Sequence, residues 1–201
     1  IYNHLNLPTK VTIQGKEINY IYDAAGLKLS KLVEGDLENE ITQYAGNFIY
    51  KSIHEQTEEP NFELQFFNHA EGYVQKEDNN FSYIYQYKDH LGNVRLSYSD
   101  TNNDGVITAS SNPSTNEIIE ESNYYPFGLK HKGYNDVISA NGNSTAQKFK
   151  FEGVELEEAL GYNSYEMDFR HYDASLGRFM VIDPMAEERN WLTPYNFVQN
   201  T

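Results

Sequence analysis

Three segments of the chain share one pattern, in which aromatic residues precede an Asp and a Gly follows a few residues after it. They are Tyr20-Ile21-Tyr22-Asp23-Ala24-Ala25-Gly26, Tyr87-Lys88-Asp89-His90-Leu91-Gly92-Asn93 and Tyr172-Asp173-Ala174-Ser175-Leu176-Gly177. Aromatic residues favour strands, whereas Asp and Gly favour tight turns. The recurrence therefore predicts a chain built from one irregularly repeated β-hairpin unit.

Apolar and polar residues alternate in short runs between these turns, which is typical of antiparallel strands. We predict strands at residues 10–13, 17–22, 27–33, 41–44, 47–54, 62–68, 72–76, 81–88, 93–99, 165–172 and 178–182. Residues 155–161 and 185–190 are predicted as short helical turns, the second because Asp183 and Pro184 are favourable at a helix start. Residues 100–122 and 132–147, rich in small polar residues, are predicted as loops or insertions.

The composition favours a sheet with one solvent-exposed face over an ordinary compact globule. Mean hydropathy is −0.70, and 17 Tyr and 11 Phe supply large side chains that can cover sheet faces. A net charge of −15 would repel phosphate backbones and anionic lipid, so we expect no nucleic-acid partner. The acidic surface favours solubility, with attraction of divalent cations or of a basic cargo as alternatives.

Several classes of site and segment are excluded from the sequence given. It contains no cysteine, so disulfides and thiolate metal sites are absent. No apolar run approaches 18 residues, and no basic-then-apolar leader is present, so we expect neither membrane insertion nor an export signal in this segment. Nucleotide-binding and serine-hydrolase motifs do not occur either.

Three blocks in order carry a resemblance to a known family. They are Lys88-Asp89-His90-Leu91-Gly92-Asn93-Val94-Arg95, Tyr124-Tyr125-Pro126-Phe127-Gly128, and the segment from Tyr172-Asp173 through Asp183-Pro184. The chain resembles the Rhs family of YD-repeat proteins, more narrowly the repeat-associated core region of Bacteroidetes-type sequences. The resemblance covers nearly the whole chain.

This resemblance implies an all-β fold, an antiparallel β-hairpin spiral that forms part of a cocoon related to the C components of Tc toxins and to teneurin barrels. Residues 1–148 would form the hairpin wall, with insertions at 100–122 and 132–147, and residues 149–201 would form the closing core segment. The implied partners are a C-terminal toxin domain of the same polypeptide, the remaining shell, and secretion-system or immunity proteins. The parent protein would be secreted or displayed on the cell surface.

The resemblance also implies an aspartyl autoprotease, in which Asp183 is one of two catalytic aspartates and Arg170 lies near them. The family's second Asp-Pro motif follows some twenty residues later, and so would lie after Thr201. This chain alone would then not cleave a peptide bond. Met185-Ala186 departs from the commoner x-Gly after Asp-Pro. The alternative is that Asp183 only caps a helix and that Arg170 is a sheet-surface ion-pair partner. For His171, a solvated or wall-facing histidine is favoured over a catalytic base.

A second candidate site is a Ca²⁺ loop at residues 100–108. Asp100, Asn102 and Asp104 occupy positions 1, 3 and 5 of an EF-hand-like loop, with Gly105 at position 6, and the Val106 carbonyl and Thr108 complete the ligand set. Position 12, where an EF-hand loop has a bidentate Glu, is Ser111. This departure should weaken Ca²⁺ binding unless Glu117, Glu120 or Glu121 folds back to complete the site. The alternative is an Asn/Asp-rich turn without metal.

A different class of function is a teneurin-like recognition module that binds glycan or protein, with Ca²⁺ as a possible requirement. Tyr83, Tyr85 and Tyr87 are spaced by two and place three rings on one strand face. Such rings can stack on sugars. They can also form a packed cross-strand ladder, which is the interpretation that the sequence favours.

Overall fold

The computed structural model describes residues 1–77, 80–112, 114–132, 139 and 142–198. Ten strands of this part form one antiparallel sheet, and their spatial order equals their order in the chain. They are β1 (Lys10–Ile13), β2 (Lys16–Tyr22), β3 (Lys28–Glu34), β4 (Glu38–Ala45), β5 (Phe48–Glu55), β6 (Glu63–His69), β7 (Gly72–Glu77), β8 (Asn80–Lys88), β9 (Val94–Tyr98) and β10 (Ile118–Glu121). This is an unbroken meander, with β1 and β10 at its edges.

A second, smaller sheet follows near the C-terminal end. Its four strands are β11 (Leu156–Glu157), β12 (Ser164–Glu166), β13 (His171–Asp173) and β14 (Arg178–Phe179), again in chain order. Short 3₁₀ turns lie at Ala146–Lys148, Phe151–Gly153, Ala159–Gly161 and Ala186–Arg189. The prediction of an antiparallel, mainly β chain with short helical turns towards its C-terminus is confirmed. None of the helices within the described ranges is long and apolar enough to cross a membrane.

The repeated Asp turns share one hydrogen-bond pattern. Oδ1 of Asp23 accepts bonds from the backbone N–H groups two and four residues later, both at 2.8 Å. Oδ1 of Asp89 accepts the equivalent bonds at 3.0 and 3.1 Å. The glycine three residues on has a positive φ in both, 92° at Gly26 and 84° at Gly92. Only glycine adopts such angles without strain, which explains the spacing of Asp and Gly in the sequence.

A further copy of this turn begins at Asn3, where Oδ1 accepts the same two backbone bonds at 2.9 and 3.0 Å. The sequence pattern missed it because Asn replaces Asp and Asn6 replaces the Gly. The third predicted unit is a variant, since Asp173 Oδ1 accepts from the N–H groups two and three residues later.

Two apolar clusters hold the sheets together. The first joins the large sheet to the segment after residue 142, and the second lies under the small sheet. Their buried members are Ile49, Phe66, Tyr73, Ile84, Ile119 and Ala146 in the first, and Phe151, Tyr165, Tyr172 and Phe179 in the second. Polar residues share the same buried face, because Tyr20, Lys31 and Thr42 lie opposite one another on β2, β3 and β4 and are all buried. The low mean hydropathy thus reflects polar groups in the interior.

The opposite face of the large sheet carries rows of aromatic rings. Phe67 contacts Phe48 and Phe81, with ring centroids 5.2 and 6.3 Å apart. Tyr85 stacks on Tyr98 of the next strand at 5.8 Å, so a cross-strand ladder is present. Tyr83 and Tyr87 belong to this face as well, and they remain 59% and 65% exposed.

Two sequence-based element predictions in the C-terminal segment were wrong, and the strand predicted at residues 178–182 is limited to β14 (Arg178–Phe179). Residues 165–172 do not form one strand, but a hairpin of β12 and β13 in which Tyr165 lies opposite Tyr172. Pairing places both tyrosines in one core, whereas a single strand would place them on opposite faces of the sheet. Residues 155–161 are helical only at their end, in the 3₁₀ turn Ala159–Gly161, because Leu156 and Glu157 pair with β12 as strand β11.

The predicted insertion at residues 100–122 is a loop only in its first part. Its last residues form β10, which pairs with β9 and buries Ile119 in the core. The apolar side chain gains burial by adding a strand to the sheet edge. Much of the second predicted insertion, residues 132–147, lies outside the described residues.

Candidate functional site

Arg170 and Asp183, the two candidate catalytic residues of the sequence analysis, lie together in the structure. Arg170 ends the turn before β13, and Asp183 follows β14. Arg170 Nη2 lies 3.1 Å from Asp183 Oδ2, and the guanidinium group lies over the ring of Phe179, 3.7 Å from its centroid. The cation–π contact and the ion pair fix the guanidinium from two sides.

Both oxygens of Asp183 are engaged. Oδ1 accepts a 2.9 Å bond from the N–H of Met185, and Oδ2 faces Arg170. The backbone carbonyl of Asp183 accepts from Ala186 at 3.0 Å. The turn-stabilising role considered in the sequence analysis is therefore compatible with a second role towards Arg170.

Arg170 is a partly desolvated cation with unused hydrogen-bonding capacity. Desolvation lowers the pKa of its guanidinium group, against the opposing effect of Asp183. Its Nη1 is buried and has no hydrogen-bond partner among the described residues. A further carboxylate or a developing negative charge is the group that such a donor would stabilise best.

The pair lies between two cavities. The larger, of about 480 Å³, is mainly apolar and is lined by Leu5, Leu7, Phe169 and Met185 as well as by Asp183 and Arg170. The smaller, of about 60 Å³, lies towards Arg189 and Asn196. The Asp183 carboxylate thus lines a cavity whose other walls are mainly apolar.

The predicted Ca²⁺ loop turns its side-chain oxygens inward. Asp100 Oδ1 and Oδ2 accept from the N–H groups of Asp104 and Gly105 at 3.1 and 2.9 Å. Asn102 Oδ1 accepts from Asp104 at 2.8 Å, and Asp104 Oδ1 from Val106 at 2.7 Å. The loop thus wraps around these oxygens. Within the described ranges, no cluster of three or more His, Cys, Asp or Glu side chains is placed to hold a metal ion.

Glu117 folds back onto this loop. Its Oε1 accepts from the N–H groups of Thr101 and Asn102 at 2.9 and 3.4 Å, and its Oε2 accepts from Thr108 at 2.8 Å. These backbone bonds, with Thr108 first, lower the pKa of the Glu117 carboxyl group. Glu117 is one of the three acidic residues that the sequence offers for this role.

Sequence analysis missed a buried charged cluster between the sheets. Lys28 and Lys31 of β3 meet Glu155, Glu157 and Glu166, which belong to the small sheet and the residue before it. Tyr44 donates a 2.7 Å bond to Glu155. Despite burial, the two lysines keep the pKa of Glu155 and of Glu166 lowered. The sequence offered two signals for this cluster: lysines on a strand with one face towards the interior, and glutamates at alternating positions.

His171 is buried beside this cluster. Among the described residues, it forms neither a hydrogen bond nor an ion pair with Asp183. Its Nδ1 lies 3.1 Å from the Tyr162 hydroxyl, and its ring meets Tyr20 edge-on at 5.6 Å. Desolvation lowers its pKa to about 4. His171 is therefore a buried, neutral residue at physiological pH.

Neither a protein-family model nor a curated protein sequence matches this chain.

Proposed function

We propose that this chain is a wall and closing segment of an Rhs-type shell, which encloses a C-terminal toxin domain of its own polypeptide for delivery into competing bacteria. The observation that carries the proposal is the recurring Asp turn, identical in its hydrogen bonds at Asp23 and Asp89, within an unbroken meander. Each repeated hairpin can add strands at the open edge of the sheet, because no closed core limits the number of repeats. Further shell repeats would pair with such edges.

The packing of the C-terminal segment supports a closing role. Residues around the small sheet cover one face of the large sheet through apolar contacts and through the Lys–Glu cluster. The opposite face keeps exposed aromatic rings. In the proposed shell, the covered face belongs to the interior, and the toxin, the remaining shell and secretion-system or immunity proteins are the partners. The parent protein is secreted or carried on the cell surface.

Autoproteolytic release would use Asp183 with a second aspartate, which the resemblance places after Thr201. Water would add to the scissile carbonyl carbon and give its proton to Asp183, while the protonated second aspartate would donate to the carbonyl oxygen. The C–N bond would then break as Asp183 passes its proton to the leaving nitrogen, while the second aspartate takes back a proton from a hydroxyl group of the tetrahedral intermediate. Arg170, which is already paired with Asp183, would orient the carboxylates.

The test uses the full-length gene product on a denaturing gel. We expect two bands for the wild type and one full-mass band for Asp183→Asn. Asp173→Asn is the matched control, because Asp173 accepts turn hydrogen bonds and, within the described residues, forms no ion pair with an arginine although Arg178 lies opposite it in the sheet; it should still give two bands. A wild-type protein that stays as one band during long incubation would exclude autoproteolysis.

The second candidate is a teneurin-like recognition module that binds glycan or protein. The exposed aromatic face favours it, because Tyr83 and Tyr87 present rings that can stack on sugars. Binding of a glycan that is lost in Tyr83→Ala, together with a single uncut band, would favour this function over the shell.

A further inference from the structure

The Asp183–Pro184 peptide bond joins an acidic residue to a proline. Asp–Pro occurs once in the sequence, because the other prolines follow Leu7, Glu59, Asn112, Tyr125 and Thr193. Proline makes a tertiary amide. Its nitrogen takes up a proton more readily than the nitrogen of an ordinary peptide bond, so it is a better leaving group. This bond therefore breaks more easily than its neighbours when a nucleophile reaches its carbonyl carbon.

The turn at this bond holds a nucleophile beside it. Oδ1 of Asp183 accepts a 2.9 Å hydrogen bond from the N–H of Met185, two residues later. The ring that this hydrogen bond closes contains the Asp183–Pro184 peptide bond, so the carboxylate is folded back along its own main chain. Attack by such a carboxylate on its own backbone carbonyl carbon forms a cyclic anhydride. A fixed geometry of this kind favours intramolecular attack.

The same turn polarises the carbonyl group of Asp183. Its backbone oxygen accepts a 3.0 Å bond from the N–H of Ala186. During the attack, negative charge passes from the carboxylate to this oxygen, and a backbone donor aimed at it lowers the barrier. Asp23 and Asp89 make similar side-chain turns, but each precedes an ordinary peptide bond. The turn at Asp183 thus combines the nucleophile, the donor and the proline nitrogen.

The ion pair with Arg170 acts in the opposite direction. Nη2 of Arg170 lies 3.1 Å from Oδ2 of Asp183, and the two side chains are only 12% and 24% exposed, so water screens the pair incompletely. Attack removes the negative charge from the carboxylate and with it the ion pair. Arg170 therefore stabilises the intact bond more than it stabilises the transition state.

We propose that Asp183–Pro184 is a self-cleavage site, at which the Asp183 carboxylate is the nucleophile and Arg170 restrains its attack. Oδ1 forms a bond to the backbone carbonyl carbon of Asp183, the C–N bond to Pro184 breaks, and the proline nitrogen takes up a proton from solvent. Water then opens the cyclic anhydride and leaves a C-terminal Asp183 with two carboxyl groups. The reaction needs no second aspartate and does not depend on the proposed shell function.

The test follows the 201-residue chain by mass spectrometry at about pH 5, where solvent supplies the proton for the leaving nitrogen. We expect fragments 1–183 and 184–201, formed at least about tenfold faster in Arg170→Met than in the wild type. Arg170→Lys keeps a cation and should stay near the wild-type rate. Equal rates in wild type and Arg170→Met, or no cleavage at this bond, would overturn the proposal. Autoproteolysis by two aspartates would need one after Thr201, so these fragments report on self-cleavage alone.

Unfolding and a chemical trap test the mechanism. Arg170→Met in urea loses the turn, so it should be cleaved more slowly than the folded Arg170→Met protein. In the wild type, hydroxylamine should react with the anhydride and leave a hydroxamate on Asp183, which direct attack by water would not produce. Pro184→Ala should slow cleavage, and the Glu59–Pro60 bond, whose acidic side chain is one methylene group longer, is the matched control and should stay intact. Cleavage that is equally fast in urea, or that leaves no hydroxamate, would overturn the assignment.

Discussion

The ammonium group of Lys31 lies 2.6 Å from Oε1 of Glu155, and both side chains are almost fully shielded from solvent. This contact ties strand β3 of the large sheet to the segment that begins the small sheet. A buried ion pair adds little stability over an apolar pair of the same shape, but removing one partner leaves an unpaired charge in the interior. The contact therefore specifies how the two sheets meet.

Replacing Lys31 by Met should destabilise the chain strongly. The variant leaves Glu155 with Lys28 and Glu157 without its ammonium partner, so we expect a loss of about 3–5 kcal/mol in the free energy of unfolding. Urea denaturation followed by tyrosine fluorescence measures it.

Lys16→Met is the matched control for that variant. Lys16 pairs with Asp36, but the two side chains are 36% and 81% exposed, so the change should cost less than about 1 kcal/mol. Equal losses for the two variants would show that burial of the cluster does not govern its contribution.

Acid should weaken the fold through His171. Burial lowers its pKa to about 4 from an ordinary value near 6.5, so the unfolded chain takes up a proton at a pH where the folded chain does not. Stability is therefore lost as the pH falls from about 6.5 towards 4. The difference amounts to about 2 kcal/mol between pH 7 and pH 5.

The measurement compares wild type with His171→Gln at both pH values. The variant removes this titration, so it should lose about 2 kcal/mol less than the wild type over the same interval. Tyr20, Tyr162, Glu166 and the two lysines face His171, and the lowered pKa values of Glu155 and Glu166 place their own effect at lower pH. Parallel pH curves for the two proteins would contradict the assignment.

Gly128 should not tolerate a side chain. Its φ is 82°, and a Cβ there would lie 2.6 Å from ring atoms of Phe151, which is buried in the second core. We expect Gly128→Ala to cost several kcal/mol, about 1 from the backbone and the rest from displacement of the ring. Thermal unfolding gives the shift.

Gly46→Ala separates the two effects. Gly46 also has a positive φ, 62°, but nothing lies within 4 Å of the position that an alanine methyl group would take there, so only the backbone cost of about 1 kcal/mol remains. Similar losses at both glycines would mean that Phe151 moves aside freely.

The sequence predicts the meander well because each hairpin is local. Alternation and the Asp–Gly turn spacing are decided by neighbouring residues, as at Asp23 and Asp89. The hairpin of β12 and β13 is not predicted, because the pairing of Tyr165 with Tyr172 depends on a shared core that alternation cannot reveal. The alternation of apolar and polar residues does not show where the chain reverses direction when the turn contains neither Gly nor Pro.

The candidate site was predictable only where a resemblance supplied the residues. The resemblance points to Arg170 and Asp183, and the structure brings them to 3.1 Å, although their catalytic role stays a prediction. The Lys28, Lys31 and Glu166 cluster was missed, because its lysines and glutamates are more than 120 residues apart in the chain, 138 for Lys28 and Glu166. Such contacts depend on how the two sheets pack.

Calcium should bind at the loop of residues 100–108 if its inward-turned oxygens serve as ligands. Asp100, Asn102 and Asp104 supply hard oxygen donors, and Glu117 already holds the loop by three backbone bonds. Ca²⁺ takes six to eight such oxygens, so water or carbonyl groups would complete the shell. Calorimetric titration with Ca²⁺ should give heat that disappears in Asp100→Ala and weakens in Glu117→Gln. Asp36→Ala, which removes an exposed carboxylate elsewhere, should keep the heat, and a flat wild-type trace would identify a metal-free turn.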